Sequence, residues 1–185
     1  MIRLRGGIIA LAATLAACGA APANTWRGVP YDELSQGDFA AIAAENRERS
    51  REVHERIAAC IRQGGFEVTV SADGYETAVS PEQKDRLDDV IVDCEESLTA
   101  EGRIPSPEVP TRASVERDYE WALAALRCLQ ESGYELPDPP TFDAYLDQTE
   151  KWSPFADLVN RHGAPAFSQA EARCPQLPPQ PALTP

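Results

Sequence analysis

Residues 60–68 read CIRQGGFEV, and residues 128–136 read CLQESGYEL. Both run through a cysteine, a glycine five positions on, an aromatic residue, a glutamate and an aliphatic residue. The register reads as a degenerate internal repeat. In each copy a helix carries Cys60 or Cys128 near its end, stops at Gly64-Gly65 or Gly133, and passes the chain to an extended segment. Any amphipathic helix that ends in glycine and enters a strand has part of this pattern, so convergence is the alternative origin.

Upstream of the first copy, Phe39, Ile42, Val53, Ile57, Cys60 and Ile61 fall on one face at a 3.6-residue period. This predicts a helix from about Asp38 to Gln63. Its middle, ENRERSRE (45–52), is polar, with Glu45–Arg49 and Glu52–Arg56 at the supportive i,i+4 spacing. That stretch, with His54 just beyond it, reads as a solvated face. Downstream, FEVTV (66–70) alternates as a strand, SADG (71–74) turns, and YETAV (75–79) returns antiparallel. Ser80-Pro81-Glu82-Gln83 supplies a capping box with proline at the first helical position. Leu87, Val90, Ile91, Cys94 and Leu98 then mark the buried stripe of the next helix.

AEGRIPSPEVP (100–110) carries three prolines and reads as a linker. A second helix-rich unit opens at about Thr111. WALAALRCL (121–129) is apolar on nearly all sides, which makes Trp121 a core residue rather than a ligand platform. After Gly133 the copies diverge: PDPP (137–140) replaces the hairpin, and short helices are expected at about 142–151 and 154–162. Ser168-x-x-Glu171 is expected to cap a last turn reaching Cys174, with residues 176–185 a disordered tail. The predicted fold is mainly α with a small antiparallel β-hairpin. It consists of two degenerate helix–Cys–Gly–turn–helix–Cys units, at 38–98 and 111–175, joined by a linker at 99–110.

The N-terminus predicts destination. Arg3 and Arg5 precede an apolar stretch from Gly6 to Ala17, twelve residues long and short of the roughly 20 that span a bilayer. Residues 1–17 therefore read as a signal peptide. The stretch ends in LAAC (15–18), which resembles the lipobox of bacterial lipoproteins. The resemblance implies cleavage before Cys18 and a diacylglyceryl group on its sulfur. Residues 18–37 are then a tether, with Trp26 and Tyr31 folded back on the body, and the lipid on Cys18 is the membrane contact. The body as a whole loosely resembles small uncharacterised actinobacterial lipoproteins, which carry no known activity to transfer.

With Cys18 assigned to lipid, four of the five cysteines remain. In an exported chain they are expected to form two disulfides. Their spacings of 34, 34 and 46 residues, without a close pair, argue against a zinc site. Four cysteines allow three connectivities; the repeat favours Cys60–Cys94 and Cys128–Cys174, each inside one unit. Closing either loop is worth roughly 4 kcal/mol in the chain-entropy picture. That is comparable with the whole stability of a small domain.

The formal charge of −13 becomes −15 once residues 1–17, with Arg3 and Arg5 and no acid, are removed. Such a chain is repelled by nucleic acid and by anionic headgroups. Motifs for nucleophilic hydrolysis, zinc peptidases and phosphate loops are absent from the sequence. His162, next to Gly163, reads as a helix-end residue. Asp85, Asp89, Asp93 and Glu96 form an acidic stripe opposite the apolar face of their helix. A divalent cation or a basic partner would relieve it, and solvent is the simpler neighbour. No cofactor or metal is expected. The expected function is a lipid-anchored, extracytoplasmic, non-catalytic binding or scaffolding module on the outer face of the cytoplasmic membrane, with an envelope protein or ligand as partner. The alternative is an envelope enzyme, a carboxylate-based hydrolase using acids such as Glu67 and Glu76.

Overall fold

A computed structural model describes residues 24–71, 74–180 and 183. Cys18 and the expected signal peptide lie outside these residues. The described chain is mainly helical, with small antiparallel ladders and two disulfides. Strands β1 (Thr25–Trp26) and β2 (Val29–Pro30) form a minimal hairpin and lead into helix α1 (Gln36–Gln63). Strands β3 (Val68–Ser71) and β4 (Gly74–Thr77) pair antiparallel, Val68 opposite Thr77. Helices α2 (Lys84–Ala100), α3 (Arg112–Glu131), α4 (Phe142–Asp147), α5 (Pro154–His162) and α6 (Ala164–Glu171) complete the order.

The repeated motif is a helix C-cap with one geometry used twice. Gly65 and Gly133 adopt φ of +90° and +92°, which side chains with a Cβ rarely take. The next amide reaches back five residues: Phe66 N donates to the Ile61 carbonyl at 3.4 Å, and Tyr134 N to the Leu129 carbonyl at 3.1 Å. Phe66 packs in the same cluster as Ile61, and Tyr134 against the cluster that holds Leu129. The hydrophobic contact that accompanies such a cap is thus present in both copies. The motif holds each cysteine in the last turn of its helix. Cys60 bonds Cys94 and Cys128 bonds Cys174, with Cα separations of 5.8 and 5.7 Å.

Two cores result. One gathers Ile57, Ile61, Phe66, Leu87, Cys94, Leu98 and Ile104 around the α1–α2 pair and the β3–β4 hairpin. The other gathers Phe39, Ile42, Trp121, Cys128, Leu129, Phe155, Leu158 and Cys174. Helix α1, of 28 residues and about 42 Å long, contributes its first half to the second of these and its last half to the first. The two cores therefore meet within α1, whereas the sequence pattern placed the boundary at the proline-bearing linker. That linker itself is anchored: Ile104 is buried, and the Arg56 guanidinium donates to the Arg103 carbonyl at 2.5 Å.

Several local expectations differ from what is observed. Helix α1 starts at Gln36 because Ser35 and Asp38 make a capping box: Ser35 Oγ accepts from Asp38 N at 3.3 Å and Asp38 Oδ2 from Ser35 N at 2.9 Å. Helix α4 ends at Asp147, short of 151, because Lys151 Nζ turns back to donate to the carbonyls of Tyr145, Leu146 and Gln148. The expected turn at Ser168–Glu171 is a full helix, α6, opening at Gly163-Ala164-Pro165. Ser168 lies inside it rather than capping it.

The expected tether is part of the body from Asn24 onward. Trp26, Tyr31 and Leu34 are buried. The Arg127 guanidinium donates to the carbonyls of Tyr31 (3.0 Å), Leu34 (3.1 Å) and Asp32. Asn24 Nδ2 donates to Glu120. Tyr31 meets the edge of Trp121 with ring centroids 5.0 Å apart.

Candidate functional site

The residues expected to carry chemistry do not converge. Glu67 and Glu76 are exposed on the hairpin, and neither lines any of the four clefts described below. Asp85, Asp89, Asp93 and Glu96 are exposed along α2. Among the described residues no group of three or more His, Cys, Asp or Glu side chains is placed to hold a metal ion. His162 is exposed at the end of α5, its ring edge-on to Tyr134. Trp121 is a core residue, 2% exposed, and its indole N–H still faces outward to a partner.

That partner is the C-terminal segment. The chain beyond Cys174, expected to be disordered, is seated in a groove over the second core through Gln180. Trp121 Nε1 donates to the Gln176 carbonyl at 3.1 Å. Asn46 Nδ2 donates to the carbonyls of Leu177 (2.9 Å) and Pro178 (3.1 Å), and Asn46 Oδ1 accepts from Gln180 N at 3.2 Å. One amide side chain thus offers both donor and acceptor to the backbone of this segment.

Three clefts meet at Leu177. One, of about 460 Å³, runs between α1 (Asn46, Ser50, His54) and α6 (Ser168, Glu171). The next, of about 270 Å³, is walled by Trp121, Tyr145, Trp152 and Phe155. The third, of about 560 Å³, lies between Tyr31, Arg117, Asp118 and the prolines Pro178 and Pro179. A fourth cleft, of about 530 Å³, separates the N-terminal segment from α3 at Glu120 and Arg127.

Burial raises the Tyr145 hydroxyl above its ordinary value, and the Asp118 carboxylate adds to the rise. Burial also lifts the Asp118 carboxyl; Arg117 opposes this and Glu108 reinforces it. Asp118 is exposed as a residue, so water limits how far the rise can go. His54, read as solvated, is half-buried: its Nδ1 is enclosed without a hydrogen-bond partner, and its ring lies 6.2 Å from that of Tyr75.

Asn46 and residues 176–180 escaped the sequence reading. The only signal was an asparagine, a weak helix former, isolated among the Glu and Arg of the polar stretch. Its partners lie 131 to 134 residues away, beyond the reach of any local pattern.

No family model matches the chain, and comparisons with curated proteins and with solved structures return no match. The two disulfides indicate an oxidising, extracytoplasmic setting. No helix among the described residues is long and apolar enough to cross a membrane.

Proposed function

We propose that this protein is a lipid-anchored extracytoplasmic lipoprotein whose body is a non-catalytic binding or scaffolding module at the cell envelope. The groove carries the binding part of this reading. Asn46 and Trp121 already grip the C-terminal segment through its backbone, a form of recognition that needs no particular side chain. The anchoring part is supported by LAAC at 15–18 directly after an apolar run, and by the two disulfides. If Cys18 carries the lipid, Asn24 stands six residues away, at most about 20 Å of chain. The body would then sit against the membrane surface on its N-terminal side, far closer than a tether running to residue 37 would allow.

The test is the mature N-terminus. Mass spectrometry should find Cys18 as the first residue with a diacylglyceryl mass, and Cys18→Ala should move the protein from the membrane to the soluble fraction. An unmodified start downstream of Cys18 in fully membrane-retained wild type refutes the anchor.

A further inference from the structure

We propose that the groove over the second core is a docking site for an uncharged, proline-bearing peptide of a partner protein, which the chain's own residues 175–180 occupy in the free state. This rests on the binding-module reading and names the partner chemistry.

The pattern of donors and acceptors accommodates proline. Proline has no N–H, so a proline-bearing chain offers carbonyls and little else. Among the described residues Trp121 Nε1 and Asn46 Nδ2 supply three donor contacts, to the carbonyls of Gln176, Leu177 and Pro178, and Asn46 Oδ1 accepts from the Gln180 amide. Prolines also hold an extended conformation before docking, which lowers the entropy lost on binding. Aromatic walls at Tyr145, Trp152 and Phe155 stand beside the chain as they do in other proline-recognising grooves.

The tail fills this groove poorly. Leu177, its largest apolar side chain, is 56% exposed. Open space of about 270 Å³ beside the aromatic wall remains next to it. Backbone contacts hold the tail, and a partner whose side chain entered that space would gain burial that Leu177 does not. Charge does not choose the partner: Arg47, Arg117 and Lys151 along the clefts balance Glu108, Asp118 and Glu171. The tail leaves the buried Cys174 with only Pro175 between them and Gln176, so it competes at a millimolar effective concentration. A partner must exceed that or arrive tethered to the same membrane.

The experiment titrates a fluorescent peptide, PQLPPQ, into the full-length mature protein and follows anisotropy. Gln180→Pro removes the tail's N–H to Asn46 and leaves the groove unchanged, so this variant should bind the peptide about fivefold more tightly than wild type. Adding Asn46→Ala, or the nearly isosteric Asn46→Asp, should weaken binding by about tenfold or more. PQLAAQ should bind less well than PQLPPQ. Circular dichroism and intact disulfides establish that each variant is folded. A flat titration of folded Gln180→Pro into the millimolar range overturns the proposal, as does equal binding by the Asn46 variants. A dimer of Gln180→Pro in light scattering also overturns it, because the groove would then serve a second copy's tail. None of these outcomes bears on the lipid at Cys18, which is read separately from the mature N-terminus.

Discussion

Gly64 is the tightest point between α1 and α2, and replacing it with alanine tests the packing of the whole α1–α2 pair. Its backbone is ordinary right-handed helix, φ −71° and ψ −2°, so alanine meets no backbone strain there. On local grounds Gly64→Ala should even stabilise, by about 0.4–1 kcal/mol, because the unfolded chain loses freedom. Packing says the opposite. A Cβ at Gly64 would lie 2.6 Å from Val90 Cγ1, 3.3 Å from Val90 Cγ2 and 3.2 Å from the Ile61 carbonyl oxygen. Val90 is β-branched and cannot swing aside freely. Nor can α2 withdraw, because the Cys60–Cys94 bond ties the two helices at a Cα separation of 5.8 Å, four residues from each contact partner. Overpacking of this kind costs about 1–3 kcal/mol, leaving a net loss of about 1–2 kcal/mol after the local gain. In urea, with a slope of about 1–3 kcal/mol per molar, the midpoint of the oxidised protein should be lowered by about 0.3–2 M. In a Val90→Ala background the same substitution should become neutral or stabilising. Gly65→Ala is the contrast: its φ of +90° makes it cost about 1–2 kcal/mol whatever stands at position 90. Gly64→Ala at least as stable as wild type with Val90 in place would refute the close approach, as would a cost that survives Val90→Ala.

Cutting the chain within 105–110 should leave two fragments that co-elute in native buffer, because Phe39 and Ile42 of one are lodged against Trp121 of the other. The same fragments should separate in non-reducing denaturant, since each disulfide lies within one fragment; fragments joined until reduced would overturn the pairing. The Asp38 carboxyl is held below its ordinary value first by the Ser35 hydroxyl and then by the Ser35 amide. Its contribution is therefore complete above the unfolded carboxylate range, near pH 4, and fades as pH falls through the lower folded value. Asp38→Asn should flatten that part of the acid-stability curve in a pH series of thermal melts, and an unchanged slope would remove Asp38 from the cap.

What residues 60–68 and 128–136 determined by themselves is local: a helix end, a left-handed glycine, an aromatic residue folded back on the aliphatic one five positions earlier. All of those bonds close within six residues, so the motif is legible wherever it occurs. The hairpin after Phe66 and the buried stripe of α2 were legible for the same reason, since alternation and 3.6-residue periodicity are properties of neighbours. Once the motif fixed Cys60 and Cys128 in their last turns, the pairing within each unit followed the chain's own order. Tertiary structure decided the rest. The first half of α1 has the same apolar spacing as its second half, and nothing in that spacing says that Phe39 and Ile42 face α3 rather than α2. Trp26, Tyr31 and Leu34 could bury themselves only where α3 already offered Arg127 and Trp121. The seat of the tail depends on Asn46, a residue of a polar helix face that finds its backbone partners more than 130 positions later. Polar patterning reports whether a side chain can face water; it does not report which distant segment arrives to replace that water.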